Sequence, residues 1–155
     1  YNDGRAVYLS RQRVRETVNF QLLAGGFAYY LAYTSLPIAL RRLFAATART
    51  ARNTGLGVWA LDESPDFRLI GPESVGPDGC LVFPKLFRRI TDYFKDVTSG
   101  AFTGNLADWL RAFKPGENDK VVLNGVELPF SDLIQQRNSR IHLQADLLDM
   151  VFMEK

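Results

Sequence analysis

Residues 34–59 read TSLPIALRRLFAATARTARNTGLGVW, and this stretch decides how the first part of the chain folds. Thr34 or Ser35 can cap the N-terminus of a helix, Pro37 suits its first turn, and no helix breaker follows until Gly55. The apolar residues recur at helical spacing, and the arginines fall largely outside their stripe. We therefore expect a long amphipathic helix with a basic face toward solvent. The stripe consists of Leu36, Leu40, Leu43, Phe44, Ala48 and Ala51.

The residues on either side of this helix extend the pattern. The apolar residues of 16–24 lie at helical spacing and a glycine pair follows at 25–26, which predicts a second helix with a glycine stop. After the long helix, the sequence GLGVW is expected to bring Trp59 back to the core. The other expected elements are a strand at 7–9, a polar connector at 11–15, and a short strand or packed connector at 27–33.

Residues 62–79 carry the strongest linker signal in the chain, with three prolines and three glycines among acidic residues. We therefore expect a domain boundary here, between residues 1–61 and a small α+β domain at 80–155. The pattern of the second part predicts a helix at 83–97, a helix capped by Asn105, a hairpin at 121–128 with Asn-Gly at its turn, a helical turn at 131–134, and a strand from Ile141 to near Met153.

Composition limits the class of protein. The chain has 155 residues, of which 46% are hydrophobic and 23% charged, as is usual for a globular protein, and no apolar run approaches the roughly 20 residues of a membrane span. It begins with neither an initiator Met nor a signal peptide, so we expect a piece of a longer protein or a mature product. Cys80 is the single cysteine, which excludes an internal disulfide, and with one histidine it makes no zinc site. We expect Cys80 to be a small buried or half-buried apolar residue and His142 to be a surface or half-buried structural histidine. The compartment stays open.

The charge is unevenly distributed along the chain. Residues 1–61 hold eight arginines, no lysine and two acids, whereas residues 62–155 hold eleven basic and fifteen acidic residues. This asymmetry favours a first part that faces a polyanion, although a solvated basic face would give the same pattern. Guanidinium groups bind phosphate bidentately, which also suits a nucleic-acid partner.

Five features of residues 1–61 follow one another in a defined order. They are Gly4-Arg5 at a turn, Val18-Asn19 before Leu22 or Leu23, Gly26-Phe27-Ala28, the helix residues Ala45, Ala48-Arg49 and Ala51-Arg52, and Gly55-Leu56-Gly57-Val58-Trp59. This succession resembles the C-terminal half of the staphylococcal nuclease (thermonuclease-like) domain. In that family a Tyr-Gly-Arg turn opens a barrel strand and an A-x-x-x-A-R helix ends in G-x-W. We recognise no family for residues 77–155.

The resemblance implies that residues 1–61 form part of an OB-like β-barrel with flanking helices. It also implies calcium-dependent hydrolysis of DNA or RNA phosphodiesters. Arg5 is similar to the arginine of the family that contacts the scissile phosphate, where a planar, permanently charged guanidinium stabilises developing negative charge. Tyr33, or one of its neighbours Tyr29 and Tyr30, is similar to a tyrosine that lines the nucleotide pocket. The further expected nucleic-acid contacts are Arg41, Arg42, Arg49 and Arg52 on the long helix.

The sequence departs from the family in two ways. Asp3 stands where the family has a tyrosine, which puts the nucleotide contact at that position in doubt. The calcium ligands, the general base and a second phosphate-binding arginine of the family precede the Gly-Arg turn, and this chain does not contain that segment. The remaining paired carboxylates have a different sequence context and are expected to be surface acids, so we assign no metal ligand. These pairs are Asp146 with Asp149 and Asp119 with Glu127.

Two functions stay open at this point. The first is metal-dependent phosphodiester hydrolysis, with Arg5 as the residue that stabilises the transition state. The second is a non-catalytic module of the same fold that binds nucleic acid or a protein partner. Either requires the unpaired edges of a partial barrel to be covered, by an N-terminal segment, by a second polypeptide or by the later hairpin.

Overall fold

The computed structural model describes residues 10–112 and 119–154, which form a mixed α+β fold. The helices within these ranges are α1 (Arg11–Arg15), α2 (Val18–Ala24), α3 (Ile38–Asn53), α4 (Pro84–Ser99) and α5 (Leu106–Ala112). The strands are β1 (Ala32–Tyr33), β2 (Asp66–Arg68), β3 (Lys120–Leu123), β4 (Val126–Pro129), β5 (Ile134–Arg137), β6 (Arg140–Leu143) and β7 (Val151–Phe152). Short 3-10 turns occupy Gly57–Ala60, Pro72–Ser74, Phe130–Leu133 and Leu147–Asp149. Arg5 and the strand expected at 7–9 lie outside the described residues.

Helix α3 is the long amphipathic helix that the sequence predicts, but it begins later. Pro37 is its N-cap and makes no side-chain capping bond, so the predicted cap at Thr34 or Ser35 is wrong. The reason is that the Thr34 N–H donates to the Phe152 carbonyl oxygen at 2.9 Å, where the chain continues the pairing of β1 with β7. Helix α3 packs on α2, and its small residues Ala48 and Ala51 are fully buried.

The glycine stop after α2 has a structural cause. The hydroxyl oxygen of Thr17 accepts from the Phe20 N–H to cap the helix, and Gly26 follows it with a φ of +70°. The Gly26 carbonyl oxygen accepts from the Val58 N–H at 2.8 Å, and a Cβ on Gly26 would lie 2.3 Å from the Leu56 carbonyl oxygen. Glycine is therefore required where the loop after α3 crosses the end of α2. Trp59, which this loop carries, is 7% exposed and belongs to the core, as predicted.

The strands form two sheets, and neither closes on itself within the described residues. One sheet has the order β1-β7-β3-β4, with β1 parallel to β7 and the other pairs antiparallel. The other has the order β2-β6-β5 and is antiparallel. The predicted hairpin is confirmed as β3–β4, with φ of 52° at Asn124 and 81° at Gly125, the positive values that a two-residue hairpin turn favours.

Several predicted elements are confirmed and others are wrong. Helix α4 and the capping of α5 by Asn105 are confirmed, the latter by the Asp108 N–H donating to the Asn105 side chain at 2.9 Å. The connector expected at 11–15 is helix α1, because the Ser10 side chain caps it and Val14 is buried. The continuous strand from Ile141 to Met153 is wrong. The chain turns after β6, where the Asp146 side chain accepts from the Leu148 N–H, before β7 begins.

The segment expected as a linker, 62–79, is ordered and contributes to the core. It contains β2 and a 3-10 turn, and Phe67, Leu69 and Val75 are buried. These residues belong to a hydrophobic cluster that extends from Leu23 to Phe152. The division into two domains on either side of this segment stays a prediction. No described helix is both long and apolar enough to cross a membrane.

A buried ion cluster connects α4 to the four-stranded sheet. The Asp119 carboxylate contacts Arg89 Nε at 2.6 Å and Lys85 Nζ at 3.2 Å, and all three residues are at most 7% exposed. We call these three residues the Asp119 cluster. Lys85 Nζ also lies 4.5 Å from the ring centroid of Phe152 on β7 and 5.4 Å from that of Tyr33 on β1. The Asp119 cluster therefore contacts side chains of both β1 and β7.

The cationic partners of Asp119 lower its pKa by more than burial raises it. Burial alone would raise the pKa of the Asp119 carboxyl, but the hydrogen bond from Arg89 and the charges of Lys85 and Arg89 together hold that pKa below its ordinary value. Burial lowers the pKa of Lys85 in spite of the carboxylate beside it. Because an arginine keeps its charge in proteins, Arg89 is the stronger partner of Asp119.

The substitution Asp119→Asn removes this charge at nearly constant volume. We expect it to lower the free energy of unfolding by about 3–5 kcal/mol, since it takes the counter-charge from buried cations. The matched control is Glu127→Gln, which breaks the exposed contact of Glu127 with Lys120 at 2.7 Å and should cost under about 1 kcal/mol. Urea unfolding of the variants measures both values. Equal effects of the two substitutions would contradict this role of Asp119.

The same carboxylate predicts a pH dependence of stability. Because the pKa of Asp119 is depressed in the folded state, its contribution is fully present above the ordinary aspartate value of 3.8 and is lost as pH falls through the folded value. Between about pH 5 and pH 2, the stability of the native sequence should therefore fall more steeply than that of Asp119→Asn. If the free energies of unfolding of the two proteins fall in parallel over this pH range, the prediction is wrong.

Candidate nucleic-acid interface

Three tyrosines between α2 and α3 line a cavity of about 380 Å³. Tyr33 lies on β1, and Tyr29 and Tyr30 precede it. We call this the tyrosine cavity. Its aromatic walls and its volume suit a ligand with one planar ring and a small number of polar groups. Its other lining residues are Asn19, Leu22, Leu23, Ala28, Leu31, Ser35, Leu36, Phe44 and Glu154.

Hydrogen bonds hold two of these tyrosines in place. The Tyr29 hydroxyl donates to Asp62 Oδ1 at 2.8 Å, and the Tyr30 hydroxyl donates to the Arg41 carbonyl oxygen at 3.2 Å. Burial raises the pKa of Tyr30 to about 12, although the Arg41 charge opposes it. Burial, followed by the bond to Asp62, raises the pKa of Tyr29 well above its ordinary value. Both phenols are therefore neutral at physiological pH and do not repel an anion.

Arg41 contacts the cavity wall through its carbonyl oxygen, which accepts from Tyr30, and its side chain has an unused hydrogen-bond donor. Its Nε is buried and has no hydrogen-bond partner among the described residues, and its side chain forms no ion pair with them. Buried donors in proteins nearly always have a partner, so this Nε is a donor that a ligand could use. An anion at this position would satisfy the donor and the charge together. The neighbouring Arg42 is exposed.

The other two arginines of α3 bind carboxylates of the C-terminal segment. Arg52 contacts both oxygens of Asp146, at 2.6 and 2.7 Å, and Arg49 contacts Asp149 at 2.7 Å. The hydrogen bond from Arg52 lowers the pKa of Asp146 despite partial burial of that carboxyl. This end of α3 therefore docks on the 3-10 turn at Leu147–Asp149. A phosphate contact by Arg49 or Arg52 stays a prediction that requires exchange of these carboxylates.

The carboxylate pairs considered as metal ligands bind cations of this chain instead. Asp119 belongs to the Asp119 cluster, Glu127 contacts Lys120, and Asp146 and Asp149 contact arginines of α3. Within residues 10–112 and 119–154, no group of three or more His, Cys, Asp or Glu side chains could hold a metal ion. The calcium site and the role of Arg5 therefore stay predictions.

The remaining single residues lie largely where the sequence places them. His142 is exposed, opposite in direction to the buried Ile141 and Leu143, and its Nδ1 lies 3.7 Å from Asp66 Oδ2. Cys80 is half-buried, with its Sγ 3.4 Å from Glu63 Oε2. The sequence did not indicate that Glu154 lines the tyrosine cavity. The pairing of β1 with β7 brings it there, and no local pattern reports contacts across 120 residues.

Comparison of the chain with protein-family models, curated proteins and solved structures found no match. The contacts described above are therefore the basis for a candidate interface, and the resemblance of residues 1–61 to the staphylococcal nuclease domain stays a prediction.

The ion pair of Arg52 with Asp146 is expected to stabilise the fold. In a double-mutant cycle with Arg52→Gln and Asp146→Asn, we expect a coupling energy of about 1 kcal/mol, because the contact is bidentate and half-buried. The control cycle replaces Asp92 and Lys95, whose contact at 3.4 Å is largely exposed on the lysine side, and should give a coupling near zero. Urea unfolding measures both cycles. A coupling near zero for Arg52 and Asp146 would show that α3 does not depend on this docking.

Proposed function

We propose that this chain binds nucleic acid, with one unpaired base in the tyrosine cavity and a phosphate on Arg41. The observation that carries the proposal is the unused Arg41 donor beside neutral tyrosines. Aromatic side chains next to arginine suit single strands, because every base has a π-face that can stack and every nucleotide has an anionic phosphate. The resemblance to the staphylococcal nuclease family supports the same place, since Tyr33, or its neighbour Tyr29 or Tyr30, is similar to the tyrosine that lines the family's nucleotide pocket.

A second proposal concerns the fold and is based on the two open sheets. We propose that the described strands complete an OB-like barrel together with strands from an N-terminal segment or a second polypeptide. The position of β1 supports this, because β1 is the first strand of its sheet and pairs with β7 on one side. An open edge is a site where a further strand can add by main-chain hydrogen bonds.

Metal-dependent phosphodiester hydrolysis is the second candidate, and the Gly4-Arg5 turn carries it. In this proposal Arg5 neutralises charge on the phosphoryl oxygens while a calcium ion assists the attack of water. The ion's ligands would come from outside this chain, because the carboxylates weighed above are engaged with lysines and arginines. Binding is the better supported function, since all of its proposed contacts lie on described residues.

Binding is tested with a fluorescent oligothymidylate by fluorescence anisotropy. We expect Tyr33→Ala to weaken binding about 5- to 150-fold, the value of one lost base stack. Because Tyr33 also packs near Phe152, a second variant, Ser35→Trp, fills the cavity from its wall and should weaken binding with the melting temperature unchanged. The control is Phe27→Ala, which removes an aromatic ring that is 74% exposed and outside the cavity. Equal affinities of all four proteins would refute the cavity as the base site.

Hydrolysis is tested on the whole protein that the gene encodes. We expect cleavage of single-stranded DNA in Ca²⁺, none with chelator, and a rate at least about 100-fold lower for Arg5→Ala, because a group that stabilises transition-state charge is lost. The control is Arg11→Ala, an exposed arginine of α1. Cleavage that persists with chelator or is unaffected by Arg5→Ala would overturn this mechanism. If no cleavage occurs, the hydrolysis proposal fails and binding is left as the function.

A further inference from the structure

The three-stranded sheet carries a row of arginines across its strands. The register places Arg68 of β2 opposite Arg140 of β6, and Arg140 opposite Arg137 of β5. All three side chains are exposed. Because neighbouring strands lie about 4.8 Å apart, the row spreads three guanidinium groups over roughly 10 Å before their own reach is added. We call these three residues the arginine row.

The arginine row lies on the outer face of the sheet, and the core fixes this orientation. The next pair along the strands is Phe67 opposite Ile141, whose side chains point to the other face of the sheet. Both are buried in the core, at 3% and 0% exposure. A register shift by one residue would expose these side chains, so the pairing is strongly specified. The adjacent outer row contains Asp66, His142 and Gln135. Every residue in the two outer rows is therefore polar or charged.

The charge in these rows is only partly compensated. Asp66 is the acid of the two rows, and it contacts Arg140 Nε at 2.5 Å and His142 at 3.7 Å. Neither Arg68 nor Arg137 forms a side-chain hydrogen bond or an ion pair with the described residues. Like charges directly opposite each other destabilise a sheet. A feature that costs stability and is only partly compensated within the fold is characteristic of a binding surface.

We propose that the arginine row binds the phosphate backbone of a nucleic-acid strand. This inference rests on the proposed function, nucleic-acid binding, and adds a second surface to it. Guanidinium groups bind phosphate oxygens bidentately, and two of the three in the row are unengaged. Neither outer row contains a Phe, Tyr or Trp side chain, so we expect the row to contact phosphates and not bases, independently of sequence.

The composition of the surface favours nucleic acid over an acidic protein. A protein interface has an apolar core depleted of charged residues, and the two outer rows offer no apolar side chain to bury. Interfaces with nucleic acid are more polar and strongly positive, as this surface is. The neighbouring Gln135 and His142 supply further hydrogen-bond donors for phosphate or sugar oxygens.

The test measures binding of the full chain to a fluorescent oligothymidylate at several salt concentrations. The variant Arg68→Gln/Arg137→Gln removes the two unengaged charges and keeps the contact of Arg140 with Asp66. The control, Arg88→Gln/Lys95→Gln, removes two exposed charges from α4. We expect the row variant to bind at least 5-fold more weakly, with a salt slope smaller by about 1.4, because each phosphate contact of a single strand contributes about 0.7. Its melting temperature should equal or exceed that of the native sequence.

Comparison with the Tyr33→Ala variant and competition experiments distinguish failure of the arginine row from failure of the tyrosine cavity. If Tyr33→Ala weakens binding and the row variant does not, the arginine row is overturned and the tyrosine cavity stands. If the row variant alone weakens binding and reduces the slope, the arginine row stands and the cavity is overturned. Inorganic polyphosphate should compete with the oligonucleotide for the native protein. Equal competition by polyglutamate would overturn the assignment to phosphate, and no binding of oligothymidylate at all would overturn both proposals.

Discussion

The buried contact of Asp119 with Lys85 and Arg89 is the constraint on which the arrangement of this fold depends. Helix α4 supplies both cations, Asp119 precedes β3, and Lys85 also lies against the rings of Tyr33 and Phe152. The buried Asp119 carboxylate needs both cations, because leaving a charge without its counter-charge in the protein interior costs folding free energy. Lys85 thus contacts both strands of the β1–β7 pair, and β1 carries Tyr33 in the wall of the tyrosine cavity.

The sequence predicts the elements that local patterns determine and misses those that distant contacts determine. Helix α3, the Asn-Gly hairpin and the Asn105 cap have nearby signals, and the structure confirms them. Strand β5 has two glutamines and an arginine at its positions 135–137, so its alternation is hidden, and Asp146 interrupts the strand expected beyond β6. The segment 62–79 has the composition of a linker, yet Phe67 is buried because β2 pairs with β6.

The candidate site shows the same division. Clustered arginines predict a basic helix face. Which of them are free to bind a ligand, however, depends on carboxylates about a hundred residues away in the sequence. Arg49 and Arg52 bind Asp149 and Asp146 and so join the helix to the C-terminal segment. Arg41, by contrast, keeps an unused donor beside Tyr30. The arginine row has no signature in the sequence, since its three members come together through strand register alone.

A chemical-shift map by NMR tests most directly whether nucleic acid contacts both the tyrosine cavity and the arginine row. The isotope-labelled chain is titrated with a short oligothymidylate, and backbone amide and arginine Nε signals are followed. We expect shifts at Tyr29, Tyr30 and Tyr33, at Arg41, and at Arg68, Arg137 and Arg140, with the signals of α4 unchanged. Shifts confined to Arg49 and Arg52, or spread evenly over the basic residues, would contradict it.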